Sequence, residues 1–421
     1  VEDDLLARPE INGVDIGEKI TGGAPTGTLA IIVYVQEKKS PEELEDGEVI
    51  PPLIDGIPTD VVEERVVPHP AFAEVAAAVP QIDAAKYPTL LGGISMGPCR
   101  SIHLEPPDVP ASGNYVFTGT LGAMVVDRST KARMALTNFH VACVDAGWSA
   151  GDTMTQPSRV DGGSCPADVF GTLARAALST HIDGAVVGID AGAATDCAIQ
   201  DIGAVAGQAA ASVGLTVRKR GRTTGLTYGT VVSVDASVSI DYGDGLGVRI
   251  LKNQIRVEVD TTKSAKFSDH GDSGSVVVTD DRKVVGLLFA GNDVPGNPAL
   301  SGTVAFANPI QFVLDELDVD LCVPPVLPIR TKPFDPRCTV FVTTRVIPCE
   351  PVISYAVPCT LPRTVRCFDN PIDIPRPPDF GPPGVLSAIY GVPGAHSAFW
   401  QGYYAALEAV ARELGESDPT Q

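Results

Sequence analysis

Residues 269–276 read Asp269-His270-Gly271-Asp272-Ser273-Gly274-Ser275-Val276. A serine sits in a tight turn between two glycines. Gly271 permits backbone geometry that a Cβ would obstruct, and Gly274 lets the chain fold away closely behind the hydroxyl. Attack by such a hydroxyl on a carbonyl creates an oxyanion, which must be met by preorganised donors. A turn of this kind can aim the N–H groups of Gly271 and Ser273 at one point. Taken alone, the stretch is equally a Gly-Asp-Ser-Gly surface turn.

Two upstream segments complement it. In Ala135-Leu136-Thr137-Asn138-Phe139-His140-Val141-Ala142 a strand ends at Thr-Asn and an imidazole follows at once. A strand terminus is a rigid support for a base. In His181-Ile182-Asp183-Gly184-Ala185-Val186-Val187 an acid precedes a run of small and apolar residues. A carboxylate buried there needs a partner, and an imidazole N–H suits it. His140 is preferred to His181 as that partner, because His181 and Asp183 lie on one strand-like stretch and point the same way.

Outward from these segments the texture is that of short strands. Val116–Val126, Met134–Thr137, Val169–Leu173, Ala185–Ile189, Gly229–Val234, Val248–Val259, Ser275–Thr279, Val284–Ala290 and Gly302–Ala307 recur with Gly, Asp and Asn between them. Regular strands with turn signals predict a barrel or sandwich over residues 91–320. Pro309–Leu317 reads as a closing helix. The loop Asp241–Gly247 reads as a solvated turn, since its acids are too few to converge on calcium. Residues 1–90 read as a small α/β unit, with a buried strand at Leu29–Val35, a short helix from Ser40-Pro41-Glu42-Glu43 and a second strand near Asp60–Val67. Residues 321–385 are rich in Pro and hold Cys338, Cys349, Cys359 and Cys367, which predicts an extended strap. Residues 386–421 end in a helix whose apolar stripe is Phe399, Tyr403, Leu407, Val410 and Leu414. That helix packs on its own chain or joins copies into a homo-oligomer.

Composition excludes several classes. The 421 residues carry a net charge of −21, with one short basic run at Arg218-Lys219-Arg220 and Arg222. Nucleic-acid binding needs clustered cations, so it is not expected. No apolar run reaches the about 18–20 residues of a membrane-spanning helix, so no membrane is expected. The nine cysteines show no CxxC pair and the histidines no HExxH, so neither metal nor cofactor is expected. They read as buried thiols, or as disulfides of an oxidising compartment. No signal peptide opens the chain, which tilts the expectation of location toward the cytoplasm.

With the order His140, Asp183, Ser273 and separations of 43 and 90 residues, the chain resembles chymotrypsin-like serine proteases. Thr137–His140 is similar to the family's Thr-Ala-x-His, Asp183–Val186 to its Asp-x-Ala-Leu, and Gly271–Ser275 to its Gly-Asp-Ser-Gly-Gly. Gly221-Arg222-Thr223-Thr224-Gly225 resembles the Gly-x-Thr-Thr-Gly of streptogrisin-type members. Gly92-Gly93-Ile94-Ser95-Met96-Gly97 adds a likeness to bacterial and plant narrow-leaf-type trypsin-like peptidases with an N-terminal extension. The resemblance covers roughly residues 91–317. It implies a mainly β fold of two six-stranded antiparallel β-barrels, with His and Asp on the first and Ser on the second. It implies a serine endopeptidase acting on proteins or peptides through an acyl-enzyme, with Gly271 and Ser273 as oxyanion hole. Phe289, Ala290 and Gly291 would be the rail for substrate backbone. Phe267 and Ser268 would floor a pocket for an apolar or small side chain. The alternatives are a catalytically inactive scaffold or binding module, or an esterase.

The departures matter. Ser275 replaces a glycine, Gly184 follows the acid, and Cys143 stands three residues beyond His140. No Ile-Val-Gly-Gly precedes the first barrel region, so no new N-terminus can pair with Asp272. An Arg, a Lys or His270 must do so instead, and activity is expected without proteolytic maturation.

Overall fold

The computed structural model describes residues 1–324, apart from Asp46, residues 69–70, 75–82, 107–108 and 110, and Asp244. The strap expected over 321–385 lies outside the described residues from 325 onward, and the expected C-terminal helix lies wholly outside them. The chain is mainly β and consistent with a chymotrypsin-like fold.

Strand pairings run in two circuits, all antiparallel. In the first, Ile94–Pro98 pairs with Gly113–Leu121, which passes through Gly122 into Ala123–Asp127. The path continues through Arg133–Thr137, Asp183–Ile189, Val169–Leu178 and Thr153–Thr155, and returns to Ile94–Pro98. In the second, Thr216–Gly221 pairs with Gly225–Asp241, then come Val248–Val259, Val304–Pro309, Lys283–Asp293 and Val276–Thr279. The last of these pairs back with Thr216–Gly221.

Period-two alternation explains why these strands curl around a core. Along Gly225–Asp241, residues Thr227, Gly229, Val231 and Ser233 are buried and their neighbours are not. Val231, Ile255, Val257, Phe267, Val277 and Leu288 fill the second circuit. Ile94, Met96, Leu121, Met124, Met154 and Val187 fill the first. A third cluster joins the two, from Leu136 and Val186 on one side to Val276 and Leu287 on the other. The closing helix, Ile310–Glu316, buries Ile310, Val313 and Leu314 in that seam.

The first 74 residues do not form a free-standing α/β unit. Their helices are the five-residue Glu2–Leu6 and a single 3-10 turn at Pro41–Glu43, at the place of the expected short helix. The Glu43 carboxylate accepts from the Ser40 N–H at 3.0 Å, but Leu44 turns extended and the acids beyond it offer no apolar stripe to pack. The remainder is strand, and it is woven into the main sheets. Ile11–Thr21 pairs with Ala24–Val35 and, at Gly13 and Val14, with Val238 and Ser237 of the second circuit. Ala24–Val35 pairs in parallel with Ile57–Glu63. Among the described residues, the disulfides Cys99–Cys165 and Cys197–Cys322 cross-link the chain beyond the N-terminal strands, and Cys143 is a free buried thiol.

Candidate active site

Ser273 enters on a turn locked from behind. The strand that follows it, Val276–Thr279, is buried on both faces, so the turn has a fixed base. Gly271 and Gly274 take φ values of +94° and +93°, which L side chains rarely adopt. A Cβ on Gly274 would also run into the Thr120 carbonyl and the Thr137 hydroxyl. Thr120 grips the turn twice: its hydroxyl donates to the Gly271 carbonyl at 2.9 Å and its N–H to the Ser273 carbonyl at 2.8 Å. Among the described residues, no acceptor takes the N–H of Gly271 or of Ser273. The N–H groups of two buried residues at one turn thus have no acceptor among the described residues.

Asp272, inside that turn, is fully buried. It receives the Lys219 ammonium at 2.9 Å, the Thr224 hydroxyl at 2.6 Å, and the N–H groups of Thr223 and Thr224 at 2.8 and 3.1 Å. Burial alone would push its carboxyl up. Lys219, Thr224 and Thr223 together outweigh burial and hold it below the ordinary carboxylate range. Burial also drives the Lys219 ammonium down, with Asp272 opposing. Lys219 is therefore the internal cation that the missing N-terminus required.

His140 sits in the four-residue helix Phe139–Ala142, directly after the strand Arg133–Thr137. Asp183 begins the neighbouring strand, and Leu136 pairs with Val186 between them. The His140 Nδ1 lies 2.5 Å from Asp183 Oδ2, and the His140 N–H donates to Oδ1 at 3.1 Å. Paired with a carboxylate oxygen, Nδ1 is the ring nitrogen suited to donate, which in the neutral imidazole makes Nε2 the acceptor. Nε2 is buried and has no hydrogen-bond partner among the described residues. His181 goes elsewhere: it stacks on Phe312 with centroids 4.8 Å apart. Cys143 is no rival nucleophile, because burial, then Asp183, pushes its thiol far up.

Three groups that the sequence reading did not single out hold Asp183. The Tyr242 hydroxyl donates to Oδ2 at 2.9 Å, Asn138 donates to the Asp183 carbonyl at 2.6 Å, and the Asp183 N–H donates to Asn308 Oδ1 at 3.0 Å. Burial, then Asp183, raises the Tyr242 phenol well above its usual value, so it remains a donor at all working pH. Tyr242→Phe is expected to lower kcat about tenfold with KM little changed, since one charge-assisted bond to the carboxylate is lost. Steady-state kinetics on a peptide substrate checks this.

The Ser273 turn comes close to the segment that carries His140: a Cβ built on Gly119 would lie 3.0 Å from the Ser273 carbonyl oxygen and 2.5 Å from Val141, the neighbour of His140. The Ser273 hydroxyl is not on Nε2, however; it donates to the Phe289 carbonyl at 3.3 Å. Phe267 and Phe289 are both fully buried. The Phe267 ring packs among Val231, Val257 and Leu288 inside the second circuit, with its carbonyl capped by the Thr227 hydroxyl at 2.7 Å. Ser268 is buried beside it. Ala290 and Gly291 lie opposite Pro68 and Val67 of the chain itself.

Solved structures of chymotrypsin-like serine proteases are similar to this chain. Thermobifida fusca protease A matches at 19% identity, over 56% of this chain and 100% of its own, with a TM-score of 0.38. A Nocardiopsis protease matches at 17% identity, over 55% and 97%, with a TM-score of 0.38. A glutamic-acid-specific serine protease matches at 20% identity, over 55% and 100%, with a TM-score of 0.39. No family model and no curated protein matches the chain.

Proposed function

We propose that the protein is a serine endopeptidase whose two circuits of strands are the two barrels of a chymotrypsin-like enzyme, with the site in the cleft between them. The observation that carries this is the buried His140–Asp183 bond, which leaves Nε2 unpartnered on a segment whose Val141 and the Ser273 carbonyl both approach Gly119. In this reading Nε2 takes the Ser273 proton as Oγ bonds to a peptide carbonyl carbon. The developing oxyanion is met by the free N–H groups of Gly271 and Ser273. His140 then gives the proton to the leaving amine, and water repeats the steps to release the acyl group. Asp183 holds the tautomer and offsets the charge on the imidazolium. No metal or cofactor has a part in the sequence of steps.

The Phe289 carbonyl links binding to chemistry. A substrate strand on Phe289–Gly291 offers an N–H to that carbonyl and so frees the Ser273 hydroxyl for Nε2. Phe267 and Ser268 would back the pocket from within the barrel wall. The substrates are proteins or peptides. The two disulfides support an oxidising compartment over the cytoplasm.

The hydroxyl's position on Phe289 also fits an inactive, protein-binding relative, and a mechanism-based probe separates the two. A fluorophosphonate should modify Ser273 in the chain, either intact or with residues 65–68 displaced, and should fail in Ser273→Ala, as read by peptide mass spectrometry. No modification of Ser273 in either protein removes the endopeptidase reading.

A further inference from the structure

We propose that the paired segments Arg65–Pro68 and Ala71–Glu74 act as an intramolecular pseudosubstrate, which occupies strand positions on both circuits beside Ser273 and keeps the site latent. The inference rests on the endopeptidase reading and adds its regulation. Arg65–Pro68 is an added antiparallel strand on the edge of Lys283–Asp293, with Pro68 opposite Ala290, Val67 opposite Gly291, Val66 opposite Asn292 and Arg65 opposite Asp293. That edge begins one residue past Phe289, whose carbonyl holds the Ser273 hydroxyl. Ala71–Glu74 then pairs with the first circuit, Ala71 opposite Thr118 and Glu74 opposite Tyr115. Thr118 adjoins Gly119, over which Ser273 and Val141 meet.

The chain therefore pairs with the second circuit next to Phe289, which holds the Ser273 hydroxyl, and with the first circuit next to Gly119, which lies near the Ser273 carbonyl. Only His69 and Pro70 in the sequence separate the two paired ends. Strand addition to an exposed edge is the way a cleft of this kind holds a peptide. Here every position that a substrate backbone would use on Ala290–Asp293 is already paired.

The segment is anchored on its N-terminal side. Val66 is 6% exposed and packs with Phe289, Ala290 and Phe306. Just before it, the Glu64 carboxylate meets the Arg256 guanidinium at 2.8 Å in a largely buried pair, and Arg256 also lies over the Tyr34 ring at 5.4 Å. A tethered strand competes at a local concentration on the order of millimolar for a short linker. A free peptide must outcompete that, so the intact chain binds substrate poorly although its catalytic groups are formed.

The test compares the full chain with two releasing variants. One carries Val66→Asp and Val67→Pro, which unseat the anchor and remove an N–H. The other carries Arg65→Glu, which sets a like charge opposite Asp293 at an exposed position, so that loss of folding is not an issue. Each is labelled with a fluorophosphonate. In parallel, a fluorescent synthetic peptide of residues 63–76 is titrated into the Val66→Asp, Val67→Pro protein that also carries Ser273→Ala, and followed by anisotropy. The expected result is labelling at least tenfold faster in both releasing variants and saturable binding of the peptide. Labelling of the intact chain as fast as the releasing variants, or no peptide binding, overturns the inference. Peptide binding with no labelling anywhere upholds the occupied cleft and instead removes the endopeptidase reading.

Discussion

Ser273→Ala and His140→Ala are each expected to lower kcat for peptide hydrolysis by about 10⁶, and the double variant by no more than either alone. The reason is that the two groups act on one proton and one bond. Without Oγ there is no nucleophile for Nε2 to deprotonate, and without Nε2 the hydroxyl keeps its proton. What remains should be the about 10³–10⁴ over water that binding and the free N–H groups of Gly271 and Ser273 supply. Asp183→Asn should cost less, about 10⁴, for a different reason. An Asn amide can donate to Nδ1, which fixes the proton on Nε2, the wrong nitrogen for a base. These rates are best measured in a variant with residues 65–68 displaced, by burst and steady-state kinetics. Losses of only tenfold at Ser273 would place the nucleophile elsewhere.

Much of the fold was legible because its signals are local. Strands such as Val248–Val259 alternate with turns rich in Gly and Asp, and they form at those places. The Ser273, His140 and Asp183 segments could be read as candidates because each pattern falls within eight residues. The supports of those groups could not. Tyr242, Asn308 and Lys219 reach their partners across 59, 125 and 53 residues, and nothing near Tyr242 distinguishes it from a surface tyrosine. Lys219 stands in the short basic run Arg218-Lys219-Arg220, where nothing local marks it for the interior, yet it is fully buried. The N-terminal strands were visible as apolar runs, but the edge that Val66 and Val67 would join is a property of sheet order, which no local pattern encodes.

The Lys219–Asp272 pair and the occupied edge belong to one logic. Where a new N-terminus must pair with the acid beside the nucleophile, that pair forms only on cleavage. Here the cation is internal, so the turn Gly271–Ser273 is set as soon as the chain folds. Control over such a site can act on access, which is where Arg65–Pro68 and Ala71–Glu74 lie. Latency of this kind needs displacement of a strand and no rearrangement of the catalytic groups.

Lys219→Met is expected to destabilise the protein by about 3–5 kcal/mol at neutral pH, a fall in Tm of about 10 °C, and to reverse part of its pH dependence. In the parent, the Asp272 carboxyl is held below its unfolded value of 3.8. Its pairing therefore contributes stability that is fully present above about pH 4 and is lost as pH falls through the folded value. Remove the ammonium, and burial, already the largest influence on Asp272, drives the folded carboxyl above its unfolded value. A group raised in this way contributes stability below its unfolded value and loses it as pH rises through the folded one. Between pH 8 and 5, acidification should thus raise the Tm of Lys219→Met relative to the parent, because protonation relieves a buried unpaired charge. Adding Asp272→Asn should restore much of the loss and flatten the difference. A constant offset between the two Tm–pH curves would mean that the methionine merely packs badly. The predicted crossing slope would show that Lys219 is there to neutralise Asp272, and hence to set the turn that carries Ser273.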